Sequence, residues 1–229
     1  MKAAWIGVLV LGACAGDLDE QWQLDHDRII AVRATPPGIV SGQRAELDAL
    51  IGAVGEHPVE RSPEIATVVS PMSLMAIVAP DAGKWYVTAP DAATLAAART
   101  ELGLAADKPV PLTVGVSYAG QTLLAFKTVF LGEARVNPTL DDMMIDGAAA
   151  PGSATEIVVQ PLTDVRLSVK ADVDDTVNWL TSCGTMHDFD LPNAYLRVEK
   201  DDPTMGDLGV VRRVPDGGVA WHVWTIRAE

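Results

Sequence analysis

The densest group of potentially reactive side chains lies in the second half of the sequence. Cys183 and His187 are four positions apart, and Asp188 and Asp190 follow them. A cysteine and a histidine at this spacing could supply half of a structural zinc site, or the nucleophile and base of a thiol hydrolase. The spacing supplies neither two further ligands nor an orienting group. We therefore interpret the segment as a turn, in which Gly184 permits a positive φ.

A second group, Asp172, Asp174 and Asp175, consists of carboxylates alone. Calcium takes six to eight oxygen ligands, so the group is a weak calcium candidate. The glycine and the terminal glutamate of a full calcium loop are missing, which favours a solvated acidic loop. The sequence also contains no Gly-x-Ser-x-Gly elbow, phosphate loop or dinucleotide fingerprint. We predict no catalytic residue, no metal and no cofactor.

The N-terminal segment carries one basic residue, Lys2, and an apolar run from Ala3 to Ala13. The run has about half of the ~20 residues that a transmembrane helix needs. Its end, Leu11-Gly12-Ala13-Cys14, resembles the lipobox of bacterial lipoproteins, in which the cysteine is diacylated and becomes the new N-terminus. The resemblance implies a signal peptide over residues 1–13 and a covalent lipid on Cys14. Acyl chains of this kind hold a protein stably on a membrane.

Cys14 is followed by Ala15 and Gly16, without the aspartate that retains many such lipoproteins in the inner membrane. By resemblance to the sorting rule of Gram-negative cells, we expect a lipid anchor in the outer membrane, facing either the periplasm or the exterior. The alternatives are an ordinary signal peptide or an uncleaved N-terminal anchor with a cysteine behind it.

Composition restricts the partners. The formal net charge is −14, so binding of nucleic acid by phosphate neutralisation is excluded, and the membrane is expected to be reached through the acyl chains alone. Apolar residues make up 48% of the chain, enough for a sizeable core. If Cys14 carries lipid, Cys183 has no disulfide partner, and we predict that it is a small buried apolar residue.

Residues 14–27 are predicted to form an acidic tether, and residues 28–135 a first domain. Strict alternation of apolar and polar residues over Arg44–Ile51 predicts a half-buried strand. The run 122–131 is apolar on both faces, which predicts a central strand. One short helix is predicted near 91–102, with Asp91 as its N-cap and a glycine directly after it.

Residues 136–229 are predicted to form a second domain. Asp164–Asp172 alternates, Trp179 follows on the next strand, and the last two strands meet at the hairpin turn Pro215–Gly218. This order resembles immunoglobulin-like or PKD-like domains, in which a strand-C tryptophan packs across the core. The opening of the first domain, 31–43, resembles the immunoglobulin-like repeats of bacterial surface lipoproteins. The expected fold is all-β, two tandem immunoglobulin-like β-sandwiches, and the resemblance carries no catalytic residue.

Two classes of function remain. The first is a membrane-anchored, non-catalytic binding or structural lipoprotein, an accessory subunit of an envelope or cell-surface assembly. The alternative is a carbohydrate-active or hydrolytic surface protein with its site on loops. Trp221 and Trp224 must point to opposite faces of one strand. We predict a partner-binding surface that includes Met186, Phe189 and Trp224, although Met186 and Phe189 could also tuck into the core.

Overall fold

The computed structural model describes residues 20–24, 26–120, 122–152 and 156–229. The strands of the first domain are β1 (Arg28–Thr35), β2 (Gly38–Ile39), β3 (Arg44–Ala53), β4 (Glu56–Arg61), β5 (Ile65–Ser70), β6 (Val78–Asp81), β7 (Lys84–Thr88), β8 (Val110–Tyr118) and β9 (Leu123–Leu131). A 3-10 helix (Met72–Ile77) follows β5, and helix α1 (Ala92–Leu102) lies between β7 and β8.

The first domain is built from two sheets. One has the strand order β1-β3-β7-β6, with β4 added to β3, and the other has the order β2-β9-β8-β5. The β2–β9 pair is parallel and the other pairs are antiparallel. With the strands lettered in chain order, these are the ABED and GFC sheets of an immunoglobulin domain, the first strand being shared between them.

The second domain repeats this plan. Its strands are β10 (Met144–Ile145), β11 (Ala148–Ala149), β12 (Ile157–Val159), β13 (Asp164–Ser168), β14 (Thr176–Thr181), β15 (Thr185–His187), β16 (Asn193–Arg197), β17 (Met205–Arg213) and β18 (Val219–Ala228). The sheet order β11-β10-β13-β16-β15 corresponds to ABED, and β12-β18-β17-β14 corresponds to GFC. Both domains are immunoglobulin-like β-sandwiches.

The alternating strands form the cores because successive side chains point to opposite faces. In the first domain Leu47 on β3 and Leu112 on β8 are fully buried, and in the second Trp179 on β14 packs with Trp224 on β18. Trp179 therefore occupies the strand-C position that the resemblance to immunoglobulin-like domains implied. Cys183 is a free thiol in the same core, as predicted.

Helix α1 begins and ends where the sequence indicates. The Asp91 carboxylate accepts a hydrogen bond from the Thr94 N–H at 2.7 Å, and Gly103 adopts the left-handed conformation with φ 66°. Leu95, Ala98 and Leu102 pack on the core of the first domain, so the helix is a packing element. Within the described residues, the helices are too short and too polar to cross a membrane.

Strand β9 was predicted to be central, but it has a neighbouring strand along its whole length on one side only. It pairs with β8 along its whole length, but on its other side it pairs with β2 only at Phe130 and Leu131. Most of β9 therefore has one neighbouring strand. Its second apolar row faces outward, where the sheet carries no covering layer from the described residues of this chain.

Candidate functional site

The GFC sheet of the second domain has a covered outer face. Leu180 on β14 and Val211 on β17 are buried there, against Ile30 on β1 and Leu50 on β3 of the first domain. Val219 of β18 belongs to the same cluster. The two domains thus pack sheet on sheet, and we call this outer face of the second domain the covered face.

Polar contacts at the border of the covered face hold the two domains in one relative position. Trp221 on β18 donates from its indole N–H to Glu60 Oε1 at 2.7 Å, and the guanidinium of Arg33 stacks on its ring at 3.9 Å. On another part of the border, His57 Nδ1 and Asp207 Oδ1 are 2.6 Å apart. Because these pairs join side chains of opposite domains, they restrict sliding of one sheet over the other.

Part of the predicted tether also packs at this border. Gln23 forms a parallel bridge with Thr181, and the Leu24 N–H donates to the Thr181 carbonyl at 3.0 Å. Leu24 is buried in the same apolar cluster, and Trp22 packs against the core of the second domain. Residues 20–24 are therefore a docked segment and not a free spacer. Cys14, the predicted lipid site, lies outside the described residues.

The equivalent outer face of the first domain is open. Leu124 and Phe126 on β9 are 72% and 71% exposed, and Ile65 and Val69 on β5 are also exposed. The register Ile65–Ser117–Leu124 and Thr67–Gly115–Phe126 places these side chains on one side of three adjacent strands. We call the group Ile65, Val69, Leu124 and Phe126 the open face.

The middle strand allows the apolar side chains of the open face to meet. A Cβ built on Gly115 of β8 would lie 3.3 Å from Val69 and 3.6 Å from the Phe126 ring. The absence of a side chain at Gly115 therefore lets Val69 and Phe126 approach each other across β8. Contiguous exposed apolar patches on a soluble domain mark interaction sites more often than do single exposed side chains.

The structure buries two of the three residues of the predicted partner surface, which comprised Met186, Phe189 and Trp224. Trp224 is fully buried and donates from its indole N–H to the Pro151 carbonyl at 2.8 Å. Met186 is buried in the same core, because its short strand β15 pairs with β16 at the sandwich edge. Phe189 is half-buried. Of the two tryptophans on β18, Trp224 is the core residue and Trp221 faces the first domain.

Two of the three weak calcium candidates, Asp172 and Asp175, form other polar contacts. Asp175 is almost completely buried and pairs with Arg212, whose Nε donates to Oδ2 at 2.7 Å. The same oxygen accepts the backbone N–H of Asp172 at 3.0 Å. Only Asp174 has no such role among the described contacts. Across the described residues, the structure groups no three histidine, cysteine or acidic side chains that could hold a metal ion.

Cys183 and His187 do not combine into a reactive pair. The Cys183 thiol donates to the Pro203 carbonyl at 2.7 Å, and burial raises its pKa to about 11. His187 is exposed on the edge strand β15. Gly184 between them has φ 90°, as the predicted turn required. A thiol in this setting stays protonated near neutral pH, which makes it a poor nucleophile.

No family model matches the chain, and no curated protein matches it. Among solved structures, the two tandem V-type regions of VCBP3, a v-region-containing chitin binding protein, share 11% identity, with 87% of this chain and 99% of that chain covered and a TM-score of 0.34. The tandem Ig repeats of Dlar share 12% identity, with 89% and 98% covered and a TM-score of 0.32.

Another similar structure is a nucleoside hydrolase-related hypothetical protein from Saccharophagus degradans that is associated with carbohydrate metabolism. It shares 11% identity over 38% of this chain, with a TM-score of 0.29, and the match spans 25% of that protein. The assignment of the fold to this chain rests on its own strand order and register.

The open face is the functional candidate that the sequence analysis missed. The signal was present, since 122–131 is apolar on both faces, but a strand covered on both sides gives the same pattern. Only the sheet order reveals that β9 has one apolar row in the core and the other, with Leu124 and Phe126, at the surface.

Proposed function

We propose that this protein is a lipid-anchored, non-catalytic binding module of the outer membrane, and that the open face is its partner-binding surface. The observation that carries the proposal is the difference between the two GFC sheets: the covered face of the second domain is occupied by the first domain, whereas Leu124 and Phe126 of the open face are more than two-thirds exposed. Exposing such a patch to water is unfavourable unless a partner covers it.

The immunoglobulin-like fold is compatible with this role. A rigid sandwich presents one flat sheet face, and the packing between the domains demonstrates that a GFC face of this chain accepts another β-sheet. The engaged carboxylates, the buried Cys183 thiol and the lack of a metal-holding group among the described residues offer no support for the alternative, a hydrolytic or carbohydrate-active protein.

The occupant that the charges favour is a different protein and not a second copy. Each copy has a net charge of −14, so two copies repel each other. Among the described residues, the ABED sheets offer a second copy's open face no apolar surface, because that of the first domain packs on the second domain and that of the second domain carries the Arg197–Asp164 pair at 3.0 Å. The expected partner is an envelope protein with an apolar, weakly charged face.

Binding can be tested with Leu124→Asp and Phe126→Asp in the lipidated protein, recovered from membranes after chemical cross-linking. Both substitutions should abolish a specific cross-linked partner and leave the thermal transition unchanged, since both side chains are exposed. Val173→Asp is the matched control, because Val173 is 97% exposed on a loop of the second domain. Recovery of the same partner with all three variants, or a cross-linked homodimer alone, would contradict the proposal.

The anchor requires its own test. Mass spectrometry of the mature N-terminus should find Cys14 as the first residue, bearing diacylglycerol. A Cys14→Ala variant should be released from the membrane fraction. An unmodified Cys14 would refute the anchor and leave the binding surface to be judged by the cross-linking result.

A further inference from the structure

Three cations gather at the border between the domains without an acidic partner. They are Arg28 at the start of β1, Lys127 on β9 and Arg213 at the end of β17. Elsewhere in the chain, partly buried arginines such as Arg33 and Arg212 pair with carboxylates. In the described part of the protein, none of the three border cations has a carboxylate oxygen within 4.0 Å.

Apart from a contact of Arg28 Nη1 with His26 Nε2 at 3.4 Å, the hydrogen bonds of these cations go to neutral oxygens. The Arg28 guanidinium donates to the Gln21 and Gln23 carbonyls at 3.0 Å each. The Lys127 ammonium donates to the Gly217 carbonyl at 2.6 Å, in the hairpin turn of the second domain.

Arg213 follows the same pattern. It donates to the Asn178 side-chain oxygen at 2.6 Å and to the Ile30 carbonyl at 2.7 Å. A guanidinium has five N–H donors. These bonds therefore leave donors on both arginines without a partner among the described residues.

The three charges also act on one another. Burial lowers the pKa of Arg213, and the positive charge of Arg28 lowers it further. Burial lowers the pKa of Lys127 to about 8, and the charge of Arg213 adds to the shift, while Asp48 on β3 opposes it. Like charges at a poorly solvated border are unfavourable in the absence of a counter-charge. An anion at this place would remove much of that penalty.

The border contains space for such an anion. Arg28 and Arg213 line a cleft of about 260 Å³, together with Asn178 and the half-buried Phe189. Arg213 also lines a neighbouring cleft of about 370 Å³, where it is joined by Lys127. The first volume suits a small organic acid or a phosphate group, and the planar guanidinium fork matches pairs of oxygens on either.

We propose that the cleft between the two domains binds a small oxyanion, a carboxylate or a phosphate, through the guanidinium groups of Arg28 and Arg213, with Lys127 supplying further positive charge. The ligand would bridge the first domain, which contributes Arg28 and Lys127, and the second, which contributes Arg213. Binding should therefore tighten the junction between the domains. The cleft lined by Arg28 and Arg213 contains no residue of the open face, whereas Phe126 of the open face borders the neighbouring cleft beside Lys127.

The test is thermal unfolding of the full protein in detergent, titrated with sodium phosphate or with sodium succinate at ionic strength held constant with sodium chloride. A saturable rise in the midpoint is expected with at least one anion, since a ligand of the native state stabilises it by mass action. Saturation with phosphate alone assigns the site to phosphate groups. Saturation with succinate alone assigns it to carboxylates, and saturation with both supports the general form of the proposal.

Variants separate a built site from general salt effects. Arg28→Gln and Arg213→Gln should each weaken the saturable response at least tenfold. Arg44→Gln should keep it, because Arg44 is an exposed arginine paired with Asp81 and does not line the cleft. If Arg213→Gln does not fold, the saturable response is compared between the wild type and Arg28→Gln, and anion binding to the wild type is measured by calorimetric titration. A response absent from the wild type, or equal in Arg28→Gln and Arg44→Gln, would overturn the proposal.

Discussion

The GFC sheets of the two domains have the same strand order but different surroundings. In the second domain the outer side chains Leu180 and Val211 are buried by the first domain. In the first domain the outer side chains Leu124 and Phe126 face water. Both sheets therefore have an apolar outer face. Among the described residues, only the outer face in the second domain is covered by another part of the chain. This difference is the basis of our proposal that the open face contacts another molecule.

The largest expected effect comes from placing the same charge on each face. Leu180→Asp would bury an unpaired carboxylate in the covered face and should lower the free energy of unfolding by about 3 kcal/mol or more. Leu124→Asp should change it by no more than about 0.5 kcal/mol, since the site is exposed. Urea unfolding of both variants measures the difference. Equal costs would show that the two faces do not differ as described.

A second effect concerns Lys127, at the border between the domains. Its pKa is about 8 in the folded protein against 10.5 for the free side chain. Between these values the unfolded chain binds the extra proton, so stability should rise as the pH increases from 8 to 10.5 and the penalty should be complete below pH 8. The full shift corresponds to roughly 3 kcal/mol as an upper bound.

Lys127→Met should remove this pH dependence, because methionine has similar length and no charge. Urea unfolding at pH 7.5 and pH 10 measures it in both proteins. The charged groups that act on Lys127 are Arg213 and Asp48, and neither changes its ionisation within that window in the free amino acid. A wild-type protein that gains no more stability than Lys127→Met between the two pH values would contradict the burial of this cation.

A smaller difference is expected for aromatic residues. Trp221→Ala removes a hydrogen bond to Glu60 and the stacking of Arg33, and should lower the free energy of unfolding by about 1–2 kcal/mol. Phe126→Ala, on the open face, should lower it by at most about 0.5 kcal/mol. Chemical unfolding followed by tryptophan fluorescence compares them. A larger loss for Phe126→Ala would mean that the open face stabilises the chain itself.

The sequence predicted those features that depend on local pattern. Alternation located the half-buried strands β3 and β13, the Asp91 and Gly103 caps located the helix, and the Pro215–Gly218 turn located the last hairpin. These succeed because each depends on the residues of one segment. The core position of Trp179 came instead from the resemblance to immunoglobulin-like domains.

Properties that depend on which sheet lies against which were not predictable. Trp224 and Trp221 were known to point to opposite faces, but only the packing assigns Trp224 to the core and Trp221 to the domain border. The sequence did not indicate that Leu24 is buried, because the residues around it are mostly acidic or polar. The open face and the border cations arise from residues far apart in sequence, and no local pattern unites Arg28 with Arg213.

The most direct test of the central claim is site-specific photo-cross-linking in intact cells. A photoreactive phenylalanine analogue would replace Leu124 on the open face, Val173 on an exposed loop, or Thr225 on an exposed part of β18. We expect a discrete cross-linked protein from position 124 and none from positions 173 and 225. The absence of any adduct at 124, or the same adduct from all three positions, would contradict it.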